Sequence, residues 1–466
     1  MSALLTGTSG DPPWGGFPAP AGGGTLIKLH STLADLEIAT FAVDEVVVGT
    51  QTGREAHTLV VSPSQLAVGA GEPALAEATV EVVRPGDPVR ISNVLDAVLP
   101  SVVADLPDAT FPGVLGPPRD AADGRLHRLD GVAVLAVCDW GAAGHAGPEE
   151  FPDAFVDMAG PGRERSPYGS TSNVVLRFVP RDGAAVDEVD AAIRRVTLRV
   201  ARDLAATTLA GQQDPLGVET FAWPPRALDA ALPAVAVILQ VASEGPLADT
   251  YLAGEPLRDL RPVVIDPRRM LADHLTNGAY DWAAVRNVTA VYQRGALLRE
   301  LFAAHGERLR FAGLVLAPGY LDTAAQKQGA ATRSAELVHE LGAEGAICTT
   351  FSSGNSHTDT MLTVRACEAA GVRTAALVCE TNGGLTDHVP EADCLVSTGN
   401  EDELVDAWSP SRVIGLAGDA DDHDRGRGDG DDLVRTGARA REPVPTWAYL
   451  AACVQTGDER WTAVPA

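Results

Sequence analysis

Lysine is nearly missing from this chain: of its 36 basic residues only Lys28 and Lys327 are lysines, and 63 acidic residues leave a formal charge of −27. No basic stripe could neutralise phosphates, so nucleic acid is excluded as a partner class. The excess acid reads as a solvated surface rather than a site. Long apolar runs are missing as well. None approaches the ~20 residues that span a bilayer, and the N-terminus has no charged region followed by an apolar one of the secretory kind. A cytoplasmic protein with no membrane partner is expected. Cysteine is sparse, six residues without a CxxC pair and mostly inside apolar runs, which fits buried thiols in a reducing compartment better than disulfides or zinc. The ten histidines form no HExxH or H-x-H pattern and no GxSxG elbow occurs, so zinc and serine-hydrolase chemistry have no support and no metal is expected.

What is present is enough apolar sequence, 45% of 466 residues, for two domains. Residues 1–24 are dominated by Gly, Pro and small polar residues and read as a flexible tail. Residues 25–225 carry short β-type runs, among them Thr25 to Leu29, Glu45 to Val48, Thr79 to Val83, Gly131 to Val137 and Asn173 to Val179, and one helical stretch from about Val186 to Ala210. This half reads as an α+β domain with mostly antiparallel strands, ending near Trp223-Pro224-Pro225.

From 226 to 466 strands and helices alternate. Apolar runs at Ala234 to Leu239, Phe311 to Ala317, Ala346 to Phe351 and Thr374 to Cys379 read as strands, with helical stretches at Ala283 to His305, Ala324 to Leu341 and around Met361 to Ala370. The last two runs show no in-out alternation, as expected of strands covered on both faces. The fold class is therefore α/β: an N-terminal α+β domain followed by a doubly wound, mainly parallel α/β domain.

In such a sheet ligands bind at the carboxyl ends of the strands. The loop Gly354, Asn355, Ser356, His357, Thr358, Asp359 follows one strand and opens a helix, so its amides and side chains are candidates for orienting an anionic ligand. Asp359 is equally compatible with an ordinary N-cap. A second loop follows the first strand of this half, where Glu244 and Asp249 are acid or base candidates, although Asp249 equally suits a turn cap. The spacing matches neither a Walker A loop nor GxGxxG. Near the C-terminus, the acidic stretch 419–432 lacks the twelfth-position Glu of a calcium loop.

The segments Pro85-Gly86-Asp87-Pro88-Val89-Arg90-Ile91, Phe111-Pro112-Gly113-Val114, Asp157-Met158-Ala159-Gly160, Leu239-Gln240 with Asp249-Thr250-Tyr251, Phe311-Ala312-Gly313, Gly354-Asn355 with Thr358-Asp359, and Ala392-Asp393 with Ser397-Thr398-Gly399 stand in a shared order and spacing. In them the chain resembles the proprotein-type subunit of glycine/sarcosine/betaine reductase component B. The resemblance implies a precursor cysteine in a Gly-Asn-Cys-like segment, cut to leave a pyruvoyl group. That ketone captures a substrate amine as a Schiff base, and a selenocysteine or cysteine of a partner subunit then attacks the α-carbon.

The corresponding segment here is Thr276-Asn277-Gly278-Ala279-Tyr280-Asp281, with Tyr280 at the place of the cysteine, and no cysteine occurs between Cys138 and Cys348. A phenol offers no β-hydroxyl or thiol for an acyl shift. The expectation is an uncut chain without pyruvoyl or other cofactor, with Tyr280, Glu244 and Asp249 as candidate catalytic residues. It would be an oligomeric reductase subunit that takes a small amine or amino-acid-like substrate and works with a selenocysteine- or cysteine-containing partner subunit. A non-catalytic scaffold for that partner and an unrelated small-molecule binding protein are the alternatives.

Overall fold

Nine residues, Ala234–Ala242, read AVAVILQVA, and all but one are buried. A strand covered on both faces must lie inside a sheet whose connections are helices, and this one is the third of seven. The order across the sheet is Val263–Ile265, Arg310–Gly319, Ala234–Ala242, Gly345–Thr349, Arg373–Glu380, Cys394–Asn400 and Thr462–Val464. The five inner strands run parallel and the two edge strands antiparallel. The computed structural model describes residues 35–66, 68–117, 124–139, 154–210, 214–223, 231–243, 248–279, 287–350, 354–380, 392–415, 443–454, 456 and 462–464.

Helices Ala324–Glu340 and Asn355–Ala369 make the crossovers on either side of Gly345–Thr349. The first begins with a capping box: the Thr323 hydroxyl accepts from the Gln326 amide while Gln326 returns a bond to the Thr323 amide. The long helix expected from Ala283 to His305 appears as two, Thr289–Arg294 and Ala296–Ala304, parted at Gly295 with φ 53°. Residues 281–286 of that stretch lie outside the described residues, as do Thr25 to Leu29 and the acidic stretch 419–432.

The first half is built on two four-stranded sheets. Parallel pairs join strands of this half, Leu36–Ala42 with Arg125–Asp130 and Val132–Cys138 with Ser172–Pro180, beside antiparallel neighbours. Helix Val186–Ala205 packs Val189, Ile193, Val196, Val200 and Leu204 into their core. On the same buried side it carries two charged residues, Asp190 and Arg194. The later chain also returns to the first half: Arg412–Ile414 pairs in parallel with Val89–Ile91.

Candidate functional site

Several of the segments that carry the family resemblance are held by close contacts. Arg90, in strand Val89–Ile91, and Asp157 are both buried and form a two-pronged ion pair. The Arg90 guanidinium lies 4.6 Å from the Phe155 ring centre, and the Tyr449 hydroxyl donates to Asp157 Oδ2 at 3.1 Å. Burial, with the Asp157 carboxylate second, raises the pKa of the Tyr449 phenol. Gly113 and Gly254 press backbone on backbone: a Cβ at Gly113 would stand 1.7 Å from the Ala253 carbonyl oxygen. Only glycines allow that approach.

The third meeting is the one that bears on chemistry. Strand Ala248–Leu252 pairs antiparallel with Leu275–Ala279, which sets Asp249 opposite Gly278, Thr250 opposite Asn277 and Tyr251 opposite Thr276. The stretch that leads into residue 280 is thus held by the Asp-Thr-Tyr segment. Asp249 is buried and accepts from Arg258 Nε at 2.6 Å; that bond raises the pKa of the half-exposed Arg258. The Arg194 guanidinium stacks 3.6 Å from the Tyr251 ring centre and ion-pairs with Asp190. Burial raises the Asp190 pKa against the pull of Arg194. A Cβ at Gly278 would lie 2.3 Å from Tyr251 Cε2 and 2.9 Å from Arg194 Nη2, so glycine is what lets the stacked pair reach the strand.

Asp96, in strand Val94–Val98, backs this strand pair. Its Oδ1 accepts the Thr289 amide at 2.7 Å and its Oδ2 the Thr289 hydroxyl at 2.7 Å, and the Thr289 hydroxyl oxygen accepts the Asn277 amide at 2.9 Å. Full burial pushes the Asp96 pKa up to about 7, against the hydrogen bonds from Thr289. Around it, Thr250 Oγ1, Thr276 Oγ1 and Asp190 Oδ1 are buried without a hydrogen-bond partner among the described residues, and the Tyr292 hydroxyl turns toward Thr250 without reaching ordinary bond geometry. Buried polar atoms left in this way are costly, and they cluster where a fold serves something besides stability.

The other predicted loop lies at the carboxyl end of the parallel sheet. Gly354 is the N-cap of helix Asn355–Ala369 and is exposed, Asn355 donates to the Leu321 carbonyl at 3.3 Å, His357 is buried and Thr358 partly so. Asp359 sits in the second turn rather than at the cap. There it accepts Lys327 Nζ at 2.7 Å and the Leu321 amide at 3.2 Å. Burial raises its pKa while Lys327 opposes the rise. Gln240 Nε2 donates to the Ser356 carbonyl at 3.1 Å, which ties the first strand's end to this helix. A cavity of about 10 Å³ lies between Gln240, Lys327, Thr349 and Asp359, room for one water. Asp249 and Asp359 therefore serve different ion pairs. Glu244 and Tyr280 lie outside the described residues.

Sequence reading did not find Asp96, Asp190, Arg194, Thr289 or Lys327. The signals were there in part: Asp96 interrupts a fully buried strand, Asp190 and Arg194 are four apart on a buried helix face, and Lys327 is one of two lysines. The family resemblance implies a ketone made from a cysteine at this strand pair. Cys138 is packed in the core of the first half and Cys348 beside Val364 and Cys367 in that of the second, so no described cysteine belongs to the strand pair. Burial raises the pKa of the Cys138 thiol, and the hydrogen bond with the Cys367 thiol, followed by burial, raises that of Cys348. Among the described residues no group of three or more His, Cys, Asp or Glu is placed to hold a metal ion, and no helix is long and apolar enough to cross a membrane.

Comparison with known proteins finds relatives over most of the chain. The chain is 27% identical over 394 residues to glycine reductase complex component B subunits alpha and beta of Acetoanaerobium sticklandii, covering 82% of this chain and 88% of that one. It is 27% identical over 398 residues to the sarcosine reductase complex component B subunit alpha of Peptoclostridium acidaminophilum, covering 82% and 89%. To the betaine reductase complex component B subunit alpha of the same organism it is 27% identical over 425 residues, covering 87% and 93%. No solved structure matches. The family model for glycine/sarcosine/betaine reductase component B subunits matches residues 34–438; with Arg90 on Asp157 and the Asp249–Tyr251 segment on Asn277, the chain belongs to that family.

Proposed function

We propose that the chain is a component-B-like subunit of a reductase complex acting on a small amine or amino-acid-like substrate, and that it remains uncleaved, carries no pyruvoyl group and works with a thiol- or selenol-bearing partner subunit. The observation that carries this reading is the pairing of Asp249, Thr250 and Tyr251 with the strand Leu275–Ala279, directly ahead of a tyrosine where the resemblance places a cysteine. On this reading the strand pair is present while the cysteine that the resemblance implies is replaced by Tyr280. Charged groups from two elements, Asp249 with Arg258 and Arg194 with Asp190, remain beside the strand, where they would orient a small polar substrate for a nucleophile supplied in trans.

A scaffold role is the second reading, and one observation favours it: Asp249 and Asp359, the two described candidate carboxylates, are already matched by Arg258 and Lys327. Intact-mass spectrometry with and without a carbonyl-trapping hydrazine tests the first clause. One full-length, unreactive mass is expected, and two fragments meeting near residue 280 with one hydrazine adduct would overturn it. Asp249→Asn in the reconstituted complex separates the two roles. Turnover falls while the complex persists if the chain handles substrate, and both are unchanged if it is a scaffold.

A further inference from the structure

Two places in the chain, Asn277 before residue 280 and Thr289 after it, are joined to each other and to a third, Asp96, which lies 193 residues from Thr289. The joint is a directed chain of hydrogen bonds: the Asn277 amide donates to Thr289 Oγ1, whose hydroxyl donates to Asp96 Oδ2, while the Thr289 amide donates to Asp96 Oδ1. Asn277 Nδ2 adds a longer bond, 3.4 Å, to the Leu95 carbonyl of the same strand. All three residues are buried. Strand Val94–Val98 is itself paired with Val132–Cys138, Asp96 opposite Ala136, so the anchor belongs to the core of the first half.

We propose that Asp96 is the positioning residue of this strand pair: by binding both the amide and the hydroxyl of Thr289 it fixes the course of the strand Leu275–Ala279. The functional weight of that role rests on the subunit reading above; the hydrogen bonds do not. All of the direct partners of Asp96 are neutral groups, Thr289 and the Ala97 amide. From the elements packed around it, Arg194 on helix Val186–Ala205 favours the carboxylate, Tyr292 comes from helix Thr289–Arg294, and Val132–Cys138 presents no ionisable side chain opposite it.

The three donors favour the carboxylate, and it is burial that outweighs them and lets the folded site hold a proton. With the folded value near 7 and the ordinary value 3.8, the protonated acid favours the closed arrangement and the carboxylate favours an opened, hydrated one. Opening then takes one proton off, so its equilibrium constant rises about tenfold per pH unit between roughly pH 5 and 7 and levels off above.

Hydrogen exchange read by mass spectrometry on the isolated full-length chain tests this, after correction for the intrinsic pH dependence of exchange. In Asp96→Ala, peptides covering 275–279 and 287–294 should exchange at least tenfold faster while the distant strand Gly345–Thr349 keeps its protection. Asp96→Asn, which keeps an acceptor for the Thr289 amide, should restore most of the protection and lose the pH dependence. Unchanged exchange in both variants, or an equal loss in all strands, would overturn the proposal. Should Asp96→Ala fail to fold, Thr289→Val serves in its place. It keeps the amide bond to Asp96 and removes the hydroxyl link, so the 275–279 peptide alone should lose protection; if it does not, the tie is not what holds the strand. Neither cleavage nor turnover enters this measurement, so its outcome is separate from that of the mass measurement.

Discussion

Arg90 and Asp157 close a buried two-pronged ion pair, Nε to Oδ1 at 2.6 Å and Nη2 to Oδ2 at 2.8 Å, across 67 residues of sequence. A charge left alone in such a place costs far more than the pair contributes. Arg90→Met or Asp157→Leu alone should therefore lower the unfolding free energy by about 3–5 kcal/mol, and the two replacements together by clearly less than the two singles added. Urea denaturation at pH 7 gives all three values; additivity would show that the two charges do not depend on one another.

Asp96 gives a dependence on pH whose sign is fixed. Its folded value, about 7, stands above the ordinary 3.8, so the native state holds a proton that the unfolded chain has already released. Stability falls as pH rises from about 4 to 7 and stays lowered above, by on the order of 4 kcal/mol from this group. In Asp96→Asn that share of the slope disappears. Thermal unfolding of both proteins between pH 5 and 8 would show it, and parallel curves would mean that Asp96 does not titrate in this range.

Two glycines predict opposite outcomes for the same change. Gly278→Ala forces a methyl group against Tyr251 and Arg194 and should cost about 1–3 kcal/mol. Gly329→Ala, inside helix Ala324–Glu340 with nothing within 4 Å of the added carbon, should stabilise by about 0.5–1 kcal/mol. A melting temperature that is unchanged or raised in Gly278→Ala would contradict the close approach there.

Lys327 is the cation that keeps Asp359 charged. Removing it as Lys327→Met leaves the Asp359 carboxyl, already raised by burial, with a still higher pKa. The loss, about 3–5 kcal/mol, should be full above that raised value and shrink as pH falls through it, because the protonated acid no longer needs a partner. Denaturation at pH 8 and pH 5 checks this: the variant should lie nearer the parent at pH 5.

The parallel sheet was readable from the sequence because its strands contain unbroken apolar runs, Ala234 to Leu239 and Ala375 to Cys379, and their helices carry their own start and stop signals. The loop at Gly354 was placed for the same reason, at a strand's carboxyl end. Pairings across the chain were not readable. Nothing local says that Asp96 will bind Thr289, or that Asp359 will leave the cap position to Gly354 and take Lys327 from the preceding helix. The split of the 283–305 stretch also depends on context, since Gly295 lies between two helices that each pack against different neighbours. Tertiary electrostatics, rather than propensity, arranged these residues.

The return of Arg412–Ile414 to the edge of Val89–Ile91, together with Tyr449 on Asp157, has a consequence for synthesis. A ribosome adding residues one at a time exposes the Val89 edge and the buried charge of Arg90 long before their last partners emerge. The first half must wait, incompletely closed, for more than two thirds of the chain to be made. A stop codon anywhere ahead of residue 412 leaves that strand edge open to other chains.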